Sequence, residues 1–164
     1  MVLQVNDVMK RFNTNLALDC CSLHVEQGEV IGLLGPNGAG KTTCIRAIIG
    51  LIGIDEGSIT VFGMPQDGKN KSIRRKIGYV TQEITLYEDM SGRDNLAFFA
   101  SLYGMGKADI QVRMAEVGRL IGLEGRLGDK VKHYSGGMKR RLNIGCALMH
   151  KPALIIMDEP TVGI

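Results

Sequence analysis

The sequence has no apolar run long enough to cross a membrane and no strong excess of charge of one sign. Its longest mainly apolar stretch, Ala47–Ile54, has eight residues, whereas a spanning helix needs roughly 18 or more. Met1–Phe12 lacks the continuous apolar run of a signal peptide. The formal net charge is +3 and the densest basic cluster is three residues long, so nucleic acid is not an expected partner. We expect one cytosolic globular domain.

Paired cysteine spacings are also missing. None of the four cysteines forms a Cys-x-x-Cys pair, which argues against a zinc site and a disulfide framework and favours reduced thiols. Glycine, in contrast, is abundant, at 22 of 164 residues. Glycine and proline together stay below the share of about 25–30% that is typical of disordered chains. The composition therefore predicts a packed domain in which many glycines serve turns and motifs.

Alternation and β-branched content predict six strands. They are Val2–Val5, Leu16–Val25, Val30–Leu34, Ser58–Phe62, Ile77–Thr81 and Ala153–Met157. Helical periodicity lies between them, at Thr42–Ile49, after a capping box at Ser91–Asp94, and from Ile110 to Ile121. The pattern predicts one α/β domain over residues 1–164, with a mostly helical subdomain at 83–134.

A phosphate-binding loop is the clearest motif. It consists of Gly35, Pro36, Asn37, Gly38, Ala39, Gly40, Lys41 and Thr42, with Thr43 directly after it. The loop fits the pattern G-x-x-x-x-G-K-[ST] and follows a predicted strand. Backbone amides of such a loop and the helix N-terminus behind it bind phosphate oxygens. Lys41 would reach the β- and γ-phosphates, and the Thr42 hydroxyl would bind Mg²⁺.

Two acids follow the last predicted strand. Leu154–Met157 is apolar and leads into Asp158 and Glu159, which is typical of a buried parallel strand that delivers a carboxylate to the edge of the sheet. Asp158 suits the Mg²⁺ shell, and Glu159 suits a general base for the attacking water. Together with the phosphate loop, these acids indicate a P-loop NTPase.

Three further stretches resemble the ATP-binding-cassette (ABC) family. Tyr134–Leu142, here the signature segment, is similar to that family's LSGGQ signature, and Gln82 is similar to its Q-loop glutamine. Phe12 lies where the family places an aromatic that stacks on adenine, and Pro160-Thr161 follows Glu159 as in the family. The resemblance covers essentially the whole chain. It implies an ABC nucleotide-binding domain with a β-rich N-terminal part, a parallel sheet core and a helical subdomain.

The resemblance also implies site roles. ATP and Mg²⁺ are the expected cofactors, with Glu159, Lys41 and Gln82 in catalysis and Thr42, Gln82 and Asp158 near the metal. The phosphate loop, Thr43 and Phe12 would bind the nucleotide. Ser135, Gly136 and Gly137 open a helix and offer amides to an anion. In the family, this site contacts ATP held by a second subunit, so two chains form a head-to-tail dimer.

The subfamily that the signature segment resembles is the ATPase subunit of ABC-2-type exporters. That resemblance implies an ATPase on the cytoplasmic face of the membrane, coupled to a separate permease that docks near Gln82–Met90, here the docking segment. Tyr134 and Met138 replace the usual leucine and glutamine of the signature. The resemblance further implies that the family's portion beyond Glu159, with its switch histidine, is missing, and that this chain alone hydrolyses ATP poorly.

Several alternatives stay open. The chain could be a soluble ABC ATPase without a permease, or a non-hydrolysing nucleotide-binding fragment, and no residue excludes GTP. Phe12 could instead be a core residue. Lys139, Arg140 and Arg141 suit a solvated face or a subunit contact better than phosphate binding, because cations are unfavourable in the first turns of a helix. Cys44 is expected to be a small buried residue; if its thiol is reachable instead, the helix N-terminus would lower its pKa.

Overall fold

The computed structural model describes residues 1–159, which fall into two compact units, Met1–Arg74 and the part from Arg75 onward. The first unit holds an antiparallel sheet in the order β2-β1-β3-β4. Its strands are β1 (Leu3–Phe12), β2 (Asn15–Val25), β3 (Glu56–Val61) and β4 (Met64–Pro65). Helix α1 is Lys41–Ile48, and α2 (Lys71–Arg75) reaches the end of the unit.

A tight hairpin starts the first sheet. Phe12 pairs with Asn15, so Asn13 and Thr14 form a two-residue turn, and Asn13 has a φ of 51°, a left-handed conformation that asparagine tolerates. The core of this unit combines apolar residues of three strands with one face of α1, which packs against β2. These residues are Leu3, Val5, Val8, Leu18, Ile59, Val61, Cys44, Ile45, Ala47 and Ile48.

The second unit combines three helices with a pair of parallel strands. Strands β5 (Ile77–Val80) and β6 (Leu154–Met157) run parallel, with Ile77 opposite Leu154 and Val80 opposite Met157. The helices are α3 (Gly92–Leu102), α4 (Lys107–Leu120) and α5 (Gly136–Leu148), and a short 3₁₀ turn occupies Val131–His133. The carboxyl ends of β5 and β6 therefore meet at one edge, which places the residues after Val80 beside those after Met157.

The helical core confirms the periodicity read from the sequence. Ser91 caps α3 by accepting from the Asp94 amide, and the Asp94 side chain accepts in return, as the capping box predicts. On α5, the expected buried face of Leu142, Cys146 and Met149 is buried. A Cβ added at Gly145 would lie 2.8 Å from Ile121 Cδ1, so α5 approaches the end of α4 closely there. The boundaries 83 and 134 of the helical subdomain remain a prediction.

The prediction of a strand at Val30–Leu34 is wrong. These residues form no strand within residues 1–159, and Val30 and Leu34 are 96% and 95% exposed. An apolar, β-branched run becomes a strand only where another strand supplies hydrogen bonds, and none of the described strands pairs with it. The sequence pattern correctly indicates a propensity for strand structure, but it does not tell whether another strand lies beside this segment to pair with it.

Other differences are smaller. Strand β1 continues to Phe12, past the predicted end at Val5, through register shifts that break the alternation. The short helix α2 was not predicted. The α/β class, with a β-rich N-terminal part and a helical region, is confirmed. None of the helices formed by residues 1–159 has the length and apolar character that a bilayer-spanning helix requires.

Candidate nucleotide-binding site

The phosphate loop, Gly35–Thr42, leads directly into α1 in the first unit. Ala39 N donates to Pro36 O at 3.1 Å, which folds the loop into a turn. Gly40 is the N-cap of α1 with a φ of 84°, and a Cβ there would collide with the carbonyl oxygen of Ala17. Only glycine fits this position. Because Gly40 has no side chain to accept from the first amides of α1, these amides suit an anion ligand, and the loop fits phosphate chemistry.

Lys41 lies where the sequence predicts a phosphate-binding cation. Its Nζ donates to Gly35 O at 2.7 Å and to Pro36 O at 3.0 Å, so the side chain folds back across its own loop. Thr42 and Thr43 occupy the first turn of α1 and are half-buried. The structure thus places the lysine ammonium against the loop backbone and Thr42 directly after it, in the first turn of α1.

Cys44 is buried, as expected from the sequence. The thiol is buried, and burial raises its pKa to about 12; its Sγ lies 3.9 Å from Cys21 Sγ. The condition for a lowered pKa, a thiol that solvent can reach, is therefore not met, and loss of solvation raises the pKa instead. Cys44 is a core residue of the first unit.

Gln82 and Glu159 meet in the second unit. Gln82 follows β5 and its Nε2 donates to Glu159 Oε2 at 2.8 Å. Asp158 directly follows β6, is buried, and its amide donates to Val80 O at 3.0 Å. Glu159 is half-buried and has a φ of 46°, a conformation uncommon for a residue with a side chain and often found at functional sites. The structure therefore brings two of the three predicted catalytic side chains into contact.

The signature segment begins α5. Ser135 is the N-cap and its Oγ accepts from the Met138 amide at 3.3 Å, while Gly136 and Gly137 are the first helical residues. Ser135 and Gly136 are exposed, so the amide-rich end of α5 faces solvent. Tyr134, which stands where the family has leucine, is buried and its hydroxyl donates to Arg126 O at 2.7 Å. The replacement thus anchors the start of the segment.

One residue of the basic cluster, Arg140, differs from the prediction. Lys139 Nζ lies 2.6 Å from Glu88 Oε1, and Arg141, which is exposed, donates to Ile121 O at 3.0 Å. Arg140 is only 2% exposed and donates to backbone carbonyls of four residues. These acceptors are Thr81, Gln82, Asp158 and Glu159. A solvated face or subunit contact is therefore wrong for Arg140, because a guanidinium can be buried where carbonyls satisfy its donors.

Phe12 lies at the surface and is 46% exposed, so its reading as a core residue is wrong. Lys10 Nζ lies 5.4 Å from the ring centroid, a cation–π contact. Stacking of this ring on adenine stays a prediction.

The docking segment, Gln82–Met90, is held by two buried asparagines that were not predicted from the sequence. Asn95 Oδ1 accepts from the Tyr87 amide at 2.9 Å, and Asn95 Nδ2 donates to Tyr87 O at 3.0 Å. Asn143 Oδ1 accepts from Thr85 Oγ1 at 3.3 Å. An asparagine on an otherwise apolar helix face was the available signal, since such a side chain is buried only where it is hydrogen-bonded.

A protein-family model described as ABC transporter matches residues 18–162. The chain belongs to the ABC transporter family. This is a family of nucleotide-binding ATPases, as the phosphate loop, Gln82 and the signature segment indicated. Pro160 and Thr161, which also carried the resemblance, lie outside the described residues.

The relatives of this cassette include an ATP-binding protein named for resistance and one named for export. Linearmycin resistance ATP-binding protein LnrL of Bacillus subtilis is 47% identical over 99% of this chain and 52% of that protein. Nod factor export ATP-binding protein I of Burkholderia thailandensis is 40% identical over 96% of this chain and 52% of that protein. The chain thus spans about half the length of these curated relatives.

Solved structures share the fold. An ATP-binding subunit of an ABC transporter has a TM-score of 0.86 at 34% identity, over 99% of this chain and 68% of that one. The cassette cbiO1 of Clostridium perfringens, part of the complex cbiONQ, has a TM-score of 0.91 at 27% identity, over 99% and 67%. A dimeric MJ0796 cassette, bound to ADP and Pi, has a TM-score of 0.85 at 26% identity, over 99% and 75%.

Proposed function

We propose that this chain is the ATP-binding and ATP-hydrolysing part of an ABC-2-type exporter, and that it drives transport through a separate permease. The observation that carries nucleotide binding is the phosphate loop, whose lysine lies across loop carbonyls at the N-terminus of α1. The export role is supported by relatives such as the Nod factor export protein. The proposal places the chain on the cytoplasmic face of the membrane.

Phosphate binding rests on the first unit. Amides of the loop and of the first turn of α1 are suited to an anion, and Lys41 Nζ can exchange its two carbonyl acceptors for phosphate oxygens without leaving the loop. Thr42 supplies a hydroxyl oxygen, a ligand type that Mg²⁺ accepts. The exposed ring of Phe12 is assigned to adenine. We assign ATP as the nucleotide from the family, and GTP stays an alternative.

Hydrolysis rests on the second unit. Mg²⁺, when bound, neutralises phosphate charge as the bond to the leaving group breaks, and the buried Asp158 carboxylate is assigned to its shell. Glu159 is assigned as the general base that removes the proton of the attacking water. Gln82 holds this carboxylate at 2.8 Å through its amide, so it orients the base and is itself assigned a place near the metal.

Dimerisation rests on the exposed end of α5. Ser135, Gly136 and Gly137 form the N-terminus of α5. The helix dipole favours an anion at this position. We assign this site to the nucleotide of a second ABC subunit in a head-to-tail dimer. The dimeric MJ0796 cassette, of similar fold, supports the assignment.

Permease docking rests on the docking segment. Ile84 and Tyr87 are exposed apolar side chains, and Tyr87 is braced edge-to-face by Phe98 at a centroid distance of 5.0 Å. The acids Glu88 and Asp89 flank them, each in a salt bridge to a lysine. An apolar anchor that is ringed by charge is typical of a docking surface. Leu86 is different, because it packs against the helical core.

Two other functions remain as alternatives. A soluble ABC ATPase without a permease would leave Ile84 and Tyr87 without a partner, and a non-hydrolysing fragment would bind nucleotide without turnover. The exposure of these two side chains favours the exporter over the first alternative.

A substitution in the docking segment tests the export role. Tyr87→Ala removes an exposed anchor that contributes little to the core, so nucleotide affinity should stay within about twofold while permease binding falls at least about tenfold, as for an interface hot spot. The measurement is co-purification of the intact protein with its permease. Leu120→Ala, which removes another exposed apolar side chain, is the matched control. Equal permease binding by Tyr87→Ala and wild type would contradict the docking role.

A further inference from the structure

Arg140 is the most thoroughly buried charged residue of the second unit, at 2% exposure. Its Nη1 donates to Thr81 O at 2.7 Å and to Gln82 O at 3.0 Å. Its Nη2 donates to Glu159 O at 2.9 Å and to Asp158 O at 3.4 Å. One planar guanidinium therefore spans the two segments that follow β5 and β6.

These acceptors are not arbitrary carbonyls. They belong to Gln82 and Glu159, whose side chains form the 2.8 Å contact between amide and carboxylate, and to the residue before each. Arg140 itself lies in the first turns of α5, five residues after the N-cap Ser135. The same side chain thus connects the signature segment to both members of the Gln82–Glu159 pair.

We infer that Arg140 is a positioning residue for ATP hydrolysis, one that fixes the backbones of Gln82 and Glu159 so that the glutamate carboxylate stays aligned by the Gln82 amide. Glu159 has a positive φ, a conformation that persists only when its surroundings hold it. The Arg140 fork supplies that restraint on the carbonyl of Glu159 itself. The inference rests on the proposed function, in which Glu159 is the general base.

Lysine is a poor substitute at this position. An ammonium has no planar fork and cannot donate in parallel to two pairs of carbonyls on different segments. Lysine should therefore restore part of the restraint and methionine none. A graded response of this kind distinguishes positioning from simple filling of space, because lysine and methionine have similar length.

The chain offers a matched control. Arg141 is the next residue of α5 and also donates to two backbone carbonyls, those of Ile121 and Gly122, at 3.0 and 3.1 Å. Its acceptors lie at the end of α4, which carries none of the assigned catalytic residues. Loss of Arg141 removes the same kind of contact from the same helix without touching the Gln82–Glu159 pair.

The experiment measures steady-state ATP hydrolysis, nucleotide affinity and melting temperature for the intact protein and for Arg140→Met, Arg140→Lys and Arg141→Met. We expect Arg140→Met to lower kcat by about tenfold to a hundredfold, the scale of a misplaced catalytic group. Its KM and nucleotide affinity should stay within about twofold, because the phosphate loop is unchanged. Arg140→Lys should fall between Arg140→Met and wild type, and Arg141→Met should keep kcat within about twofold.

A second measurement tests the route through Gln82. In a Gln82→Ala background, Arg140→Lys should reduce kcat much less than it does in the wild type, since two residues that act as a unit are not additive. The same kcat loss in both backgrounds, or a kcat for Arg141→Met as low as for Arg140→Met, would overturn the inference. If Arg140→Met fails to fold, the inference is tested by comparing the effect of Arg140→Lys on kcat in the wild-type and Gln82→Ala backgrounds. An intact wild-type protein that does not hydrolyse ATP would instead refute the proposed function.

Discussion

Asn95→Ala is the substitution for which the structure gives the most definite outcome. Asn95 is fully buried in α3, and its side chain makes three hydrogen bonds to the backbone. The Tyr87 amide donates to its Oδ1 at 2.9 Å, and its Nδ2 donates to Tyr87 O and Ser91 O, each at 3.0 Å. Alanine removes all three and leaves the helix backbone intact.

The three bonds do not count equally. Tyr87 O also accepts from the Met90 amide at 3.1 Å, and Ser91 O also accepts from the Asn95 amide at 3.0 Å, so both carbonyls keep a partner. The Tyr87 amide has no such second bond among those described and becomes an unsatisfied donor, which costs about 1–3 kcal/mol. With about 1 kcal/mol for the carbonyl bonds, we expect a loss of roughly 2–4 kcal/mol.

The assay is chemical denaturation combined with amide hydrogen exchange. Asn95→Ala should lower the free energy of unfolding by this amount, and exchange should rise first in residues 83–90, because their link to α3 is lost. Asn15→Ala, at an exposed position, is the control and should change stability by less than about 0.5 kcal/mol. A loss below about 1 kcal/mol with unchanged exchange at Tyr87 would refute the claim that Asn95 anchors the docking segment.

Two further predictions concern titratable groups. Cys44 and Cys146 are buried, and burial raises the pKa of each thiol to about 12. Iodoacetamide should therefore label the exposed Cys20 far faster than either of them in the native protein. Rapid labelling of Cys44 in the native protein, measured by mass spectrometry, would contradict its burial. Burial, opposed by a bond to Ile77 O and reinforced by Arg113, lowers the pKa of His150 below 6.5. A lowered folded-state pKa gives stability that is present above the unfolded value and is lost as pH falls, so the melting temperature should drop from about pH 7 to pH 5. It should drop less in His150→Gln, and equal pH profiles for the two proteins would contradict this assignment.

Local signals predicted the helices well. The capping box at Ser91 and Asp94, and the buried face of α5, depend only on neighbours within one or two turns, and the structure reproduces both. The phosphate loop is equally local in its backbone conformation, since the left-handed φ of 84° at Gly40 favours glycine.

The predictions that proved wrong concern features that depend on contacts between residues far apart in the sequence. Val30–Leu34 has strand propensity, but a strand needs a partner that no local pattern specifies. Arg140 lies about 200° around the helix from Leu142, on the face that periodicity marks as exposed. A second stripe is buried there: Asn143 contacts Thr85, and the Ala147 carbonyl oxygen lies 2.7 Å from the position of a Cβ added to Gly78. The positions of residues 81–85 decide this burial, and those positions follow from tertiary structure.

Nucleotide titration of the intact protein tests whether the phosphate loop binds ATP. Wild type and Glu159→Gln should bind ATP with similar affinity, and the Glu159→Gln complex should persist without turnover. Lys41→Ala should weaken binding by about tenfold or more, since a hydrogen bond to a charged group contributes about 1.5–3 kcal/mol. Removal of Mg²⁺ should stop turnover in the wild type. Equal ATP affinity of Lys41→Ala and wild type would contradict the account.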